Sequence, residues 1–196
     1  MRHRLFSIRP VLTMRGRKFK GLRGWAGKPL HPPLTDLPVA AYILAAVFDL
    51  ISFAAGGDAD FSRDAYVSGT WTIIGGAIVS LGAALTGFWD WLKSTPKHTQ
   101  AWRTANWHMA VMVTVTLIVV ADIVLRLGDY DASRAPGAVT FLSLLAGALV
   151  AYGAMYGGAL VYDYGFNVET SGDHPVWHRS EEDLEPHDKP HPAQTQ

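Results

Sequence analysis

Cysteine is absent from this 196-residue chain. Thiolate-held iron–sulfur clusters, covalent c-type haem attachment, disulfides and cysteine nucleophiles are therefore excluded within it. Charge is scarce too: Asp, Glu, Lys and Arg make up 17% of residues, against 49% hydrophobic ones. The charges crowd into residues 1–36, 90–103 and 163–196 and two short loops. That leaves long uncharged stretches which a water-soluble domain of this size seldom needs. The first 28 residues hold nine Lys or Arg but lack an apolar core, so they do not read as a cleaved secretory signal, although an organellar transit peptide has a similar composition. The formal net charge of zero averages this basic arm against an acidic carboxy-terminal tail.

The uncharged stretches fall into four apolar segments. Residues 67–89 and 137–162 contain no Asp, Glu, Lys, Arg or His, and each exceeds the roughly 20 residues that a helix needs to cross a bilayer. Residues 37–55 carry one charge, Asp49, and residues 105–125 carry His108 and Asp122; these are spans made costlier by polar residues. The expected fold is all-α, a four-helix transmembrane bundle with spans at about 35–55, 67–89, 105–127 and 137–162. It occupies residues 34–165, between a basic arm at 1–33 and a disordered, acidic His- and Pro-containing tail at 166–196. A soluble bundle is the lesser reading, since soluble helices show polar faces.

Of the 17 Lys and Arg, nine precede the first span, Lys93, Lys97 and Arg103 lie between spans two and three, and Arg179 and Lys189 follow span four. Only Arg63, Arg126 and Arg134 fall on the other side. The positive-inside rule places both termini in the cytoplasm. Trp89, Trp91, Trp102 and Trp107 at the cytoplasmic ends, with Tyr66 and Trp71 at the opposite one, suit the headgroup boundary.

The chain also repeats itself. Gly57-Asp58-Ala59-Asp60-Phe61-Ser62-Arg63 returns 71 residues later as Gly128-Asp129-Tyr130-Asp131-Ala132-Ser133-Arg134. Gly76, Gly82 and Gly87 match Gly147, Gly153 and Gly158 at the same offset. Two tandem helical hairpins related by a pseudo-twofold axis along the membrane normal are expected. Gly76, Ser80 and Ala84 form a small-residue stripe, and Gly153 and Gly157 a GxxxG pair, patterns whose default role in lipid is close helix packing.

Four strings together carry a resemblance: His31-Pro32-Pro33-Leu34-Thr35-Asp36-Leu37-Pro38, Gly87-Phe88-Trp89-Asp90-Trp91, His108, and Gly157-Gly158-Ala159-Leu160-Val161-Tyr162-Asp163-Tyr164-Gly165. Over about residues 26–170 the chain resembles the bacterial four-span domain-of-unknown-function family twenty-two thirty-one. The resemblance implies a four-helix membrane bundle in a bacterial plasma membrane, in a redox neighbourhood because some members adjoin Rieske-type domains, with no established activity. Without cysteine, any electron-transfer role needs a partner.

His31, Asp36, Asp90, His108 and Asp163 all fall near the cytoplasmic boundary, because odd-numbered spans begin there and even-numbered ones end there. An intramembrane histidine marks a ligand or proton site unless a hydrogen bond to Asp90 or a backbone carbonyl satisfies it. His31 and His108 are the candidate axial ligands of a b-type haem, with the reservation that Pro32 and Pro33 set His31 before the helix proper. A divalent metal at His31, His108 and Asp90 is the alternative. Asp49 and Asp122 lie some 13 to 14 residues beyond the inner polar groups, roughly 20 Å away. They form a proton-linked pair or take separate hydrogen bonds, Asp122 reaching Arg126 one turn on. The repeated loops hold carboxylates as a calcium site does, but read first as solvated turns.

The basic arm suits anionic lipid headgroups rather than nucleic acid, and the histidines of the tail are too irregularly spaced for a metal site. The leading functional expectation is a scaffold or accessory subunit of a redox assembly, without catalysis of its own, joined by a redox protein or a second copy. A haem- or quinone-binding electron carrier and a proton-linked small transporter are the competing readings.

Overall fold

A computed structural model describes Leu22 and residues 29–166; the basic arm apart from Leu22 and residues 29–33, and the tail beyond Phe166, lie outside them. Four helices follow in order: α1 His31–Ala55, α2 Asp60–Ser94, α3 Gln100–Gly128 and α4 Gly137–Tyr162. All four are long and apolar enough to cross a membrane, so the expected four-helix transmembrane bundle is what forms. The first three outrun the expected spans because their ends continue beyond the hydrocarbon into sequence with polar residues. The start of α1 corrects one expectation. His31 is its first residue, since Pro32 and Pro33 occupy the first turn, where no backbone N–H has an intrahelical partner to lose. Thr99 caps α3 by accepting the Trp102 N–H at 3.2 Å.

Burial runs opposite to that of a water-soluble bundle. The interior is built from Ala45, Ala46, Ala83, Ala105 and Ala146 with Ser52, Thr70 and Ser143, whereas Leu85, Leu117, Phe141 and Met155 point outward. An apolar exterior of this extent has no stable form in water and is matched by lipid tails. Small inward residues supply the close approach that replaces hydrophobic drive. A methyl on Gly76 would lie 2.6 Å from the Ala41 Cβ of α1, and one on Gly147 3.4 Å from the Ala46 Cβ. Gly153 faces Val111 and Met112 of α3, and Gly157 faces His108. The glycines of the expected packing motifs therefore meet neighbouring helices, but Ala84 is exposed.

α1 lies along α2 and α4, and α3 along α4, while α2 and α3 touch least. A strict twofold between the hairpins would equalise the α1–α4 and α2–α3 contacts, so the bundle departs from that symmetry. Where α2 and α3 do meet, Trp91 stacks on Trp102 with centroids 4.9 Å apart and donates its Nε1–H to Asn106 at 2.8 Å.

The repeated loops also fold differently. In the first, residues from Asp60 onward have joined α2; the second stays outside α3 and α4 except for Gly128. The two interlock. Arg63 donates to the Tyr130 and Ala132 carbonyls, both at 3.0 Å, and Arg134 sits over the Phe53 ring at 5.1 Å. Ser52 and Ser62 exchange hydroxyl-to-carbonyl bonds of 2.6 and 2.7 Å, and the Ala135 N–H donates to the Ser52 hydroxyl at 2.9 Å.

Candidate functional site

Antiparallel neighbours bring the start of α1, the end of α2, the start of α3 and the end of α4 to one end of the bundle. His31 and His108 meet there, their ring centroids 6.4 Å apart and their planes at 76°. Each ring is tied to the even-numbered helix of its own hairpin. His31 Nδ1 donates to the Ala83 carbonyl at 2.8 Å, and His108 Nδ1 donates to the Gly153 carbonyl at 2.9 Å. A carbonyl only accepts, so both nitrogens carry the proton and both imidazoles present Nε2 as the bare nitrogen. Among the described residues neither Nε2 has a hydrogen-bond partner.

One turn beyond each accepting carbonyl stands a glycine. A Cβ on Gly87 would lie 2.6 Å from His31 Cε1, and one on Gly157 3.2 Å from His108 Cε1. The missing side chains are what let the rings lie against helix backbone. The 71-residue register is off by one here: it pairs Gly87 with Gly158, yet Gly157 is the residue that seats His108.

Of the other residues expected at this boundary, Asp36 and Asp163 are exposed. Asp90 is buried, with Oδ1 accepting the Leu22 N–H at 2.9 Å and Oδ2 without a partner among the described residues. Among the described residues no three His, Asp or Glu side chains come together as a metal site. The histidines are thus two neighbouring imidazoles that, among the described residues, have no third ligand beside them.

At the opposite end lies a second polar site. Arg126, Asp49 and Asp122 are all fully buried. Asp49 and Asp122, expected to stand apart or pair with each other, are held by the same guanidinium. Arg126 Nε and Nη2 donate to Asp122 at 3.1 and 3.2 Å, the one-turn link the sequence suggested. Arg126 Nη1 donates to Asp49 Oδ1 at 3.0 Å and to Thr70 at 3.2 Å, and Nη2 also binds Asp49 Oδ2. Tyr66 stacks its ring 5.7 Å from the guanidinium carbon. Arg126, counted with the basic residues of the outer side, is an interior residue. The roles of Thr70, Tyr66, Gly87 and Gly157 carry no sequence signal beyond residue type.

The fold and its sites define a multi-span protein of the lipid bilayer with a polar interior at both ends. The chain belongs to a family of predicted membrane proteins (DUF2231), whose sequence model matches residues 27–170. No curated protein and no solved structure matches it.

Proposed function

We propose that this protein is a membrane electron carrier that binds one b-type haem through His31 and His108, acting as an accessory subunit of a redox assembly. The carrying observation is the histidine pair itself: 6.4 Å between centroids, both Nδ1 atoms committed to carbonyls and, among the described residues, no partner on either Nε2. With metal–imidazole bonds of about 2 Å, two rings that shared one metal would have their centroids up to roughly 6 Å apart, so His31 and His108 lie at a separation that could hold one. The donor set fits as well. Two imidazoles without a third ligand suit a metal that brings its own equatorial nitrogens, whereas a bare divalent ion needs about four ligands from the chain. The alternative with Asp90 as a metal ligand is weaker, because among the described residues Asp90 does not come together with the two histidines as a ligand group.

Bound haem supplies one-electron redox chemistry. The chain's own part is orientation. The Ala83 and Gly153 carbonyls fix the tautomer and ring angle and make each imidazole a better donor. Gly87 and Gly157 hold the rings close to the helices. Because the chain lacks cysteine, a further redox centre has to come from a partner, for which the Rieske association suggested by the family resemblance is one source. The positive-inside bias supports cytoplasmic termini, and with them histidines in the cytoplasmic half, while the bacterial plasma membrane rests on the family resemblance.

The test is an absorbance spectrum of the detergent-purified full chain expressed with haem supply. A Soret band whose α-band sharpens on dithionite reduction is expected. His31→Ala and His108→Ala should each lose the six-coordinate spectrum, while Asp90→Ala keeps it. Pure, folded protein without a Soret band sinks the reading and leaves the scaffold role standing.

A further inference from the structure

The Asp49–Arg126–Asp122 cluster contains two carboxylates and one guanidinium, all at 0% exposure. Arg126 uses every N–H it has: Nε on Asp122, Nη1 on Asp49 and Thr70, Nη2 on both carboxylates. Hydrogen bonding is complete, but the charge does not balance. With both acids ionised the cluster keeps one excess negative charge inside a bundle surrounded by lipid, where an unpaired charge is strongly disfavoured.

Among the described residues no second cation pairs with either carboxylate: Arg63 and Arg134, the other cations at this end, are engaged with Tyr130, Ala132 and Asp131 and with Phe53. α1 contributes Asp49 alone. From α2 come Tyr66 and Thr70, both neutral. α4 has no Asp, Glu, Lys, Arg or His. Beyond Tyr66 lies Asp129, whose carbonyl the Tyr66 hydroxyl reaches at 3.4 Å, and its carboxylate adds more negative charge. A metal cation does not fit either: all four carboxylate oxygens already face guanidinium N–H groups, and the guanidinium charge occupies the centre.

We propose that this cluster is a proton-binding site: one proton, shared between Asp49 and Asp122, makes the triad neutral within the membrane. The proton comes from water, binds a carboxylate oxygen and leaves by the same bond, with no other reactant. The cluster lies at the end of the bundle opposite the histidines, and the inference does not depend on haem.

Infrared spectroscopy of the full chain in lipid nanodiscs tests it. At neutral pH the wild type should show the C=O stretch of a protonated, buried carboxyl that shifts when the protein carries carbon-13-labelled aspartate. Asp49→Asn and Asp122→Asn should each abolish the band, since either leaves one carboxylate balanced by one guanidinium. Asp90→Asn should retain it. That control matters because Asp90 is buried with Oδ2 unpartnered among the described residues and is the rival source. The label shift on wild-type protein needs no variant to fold. A labelled wild-type spectrum without the band, or a band lost only in Asp90→Asn, overturns the proposal. So does a band that appears only when sodium is withheld, which would mark a cation site.

Discussion

Gly87 and His31 meet where a methyl group has no room: a Cβ on the glycine would lie 2.6 Å from Cε1, 2.9 Å from Nδ1 and 3.0 Å from Nε2 of the ring. The contact comes from the 2.8 Å bond to the Ala83 carbonyl one turn earlier, which draws the ring down onto the helix. His108 repeats the arrangement on Gly153 and Gly157 with more slack. Each histidine is thus satisfied at Nδ1 by a backbone carbonyl of the neighbouring helix, the packing alternative the sequence left open, and among the described residues Nε2 of each ring stays without a partner.

The difference in slack gives an order. Gly87→Ala should push His31 off its carbonyl and weaken haem binding by about 10- to 100-fold, the usual cost of disturbing the groups that orient a ligand. Gly157→Ala, with 3.2 Å available, should cost less. Gly75→Ala, where nothing lies within 4 Å of the added carbon, should leave binding unchanged. Haem titration of the three purified variants checks the ranking; equal losses at Gly75 and Gly87 would contradict the seat.

Much of the architecture was legible because lipid imposes a strong rule: long stretches without charge have few other uses. Residues 137–162 show this best, since the expected span and α4 coincide. The pairing of His31 with His108 was legible from alternating helix direction. What was hidden depends on rotation about helix axes. Asp36 and Asp90 share a boundary, yet one faces outward and the other inward, and no spacing distinguishes them. Arg126 was misplaced because a charge near a span's end ordinarily belongs to the loop, and only contact with Asp49, 77 residues earlier, makes its burial tolerable. The repeated loops misled in another way. Loops that agree at five of seven positions fold as a helix start in one copy and outside the helices in the other, Ala59 and Phe61 standing where the second has Tyr130 and Ala132.

That interlock makes Ser52 a sensitive position. Its hydroxyl donates to the Ser62 carbonyl at 2.6 Å and accepts the Ala135 N–H at 2.9 Å, both buried. Ser52→Ala should strand the Ala135 N–H and cost about 1–3 kcal/mol, read as a lower midpoint in thermal or detergent unfolding. Ser133→Ala, whose exposed hydroxyl only adjoins Gly57, should cost far less. Equal effects would mean that the loops are held by something other than the Ser52 hydroxyl.

Burial of Arg126 sharpens the expected orientation. With it removed from the outer count, Arg63 and Arg134 are the basic residues left there, Arg63 engaged with the opposite loop and Arg134 with the end of α1, whereas Lys93, Lys97 and Arg103 surround the α2–α3 turn. The positive-inside rule then puts that turn in the cytoplasm and the Asp131 loop outside. The chain itself provides the means to check, since it has no cysteine and every introduced thiol is unique. Asp131→Cys, at a side chain 98% exposed, should react with a membrane-impermeant maleimide on intact cells. Lys97→Cys, also exposed, should react only after the cells are permeabilised. The reverse pattern would turn the bundle over and move the histidine pair to the outer half, where its redox partner would have to dock from outside the cell.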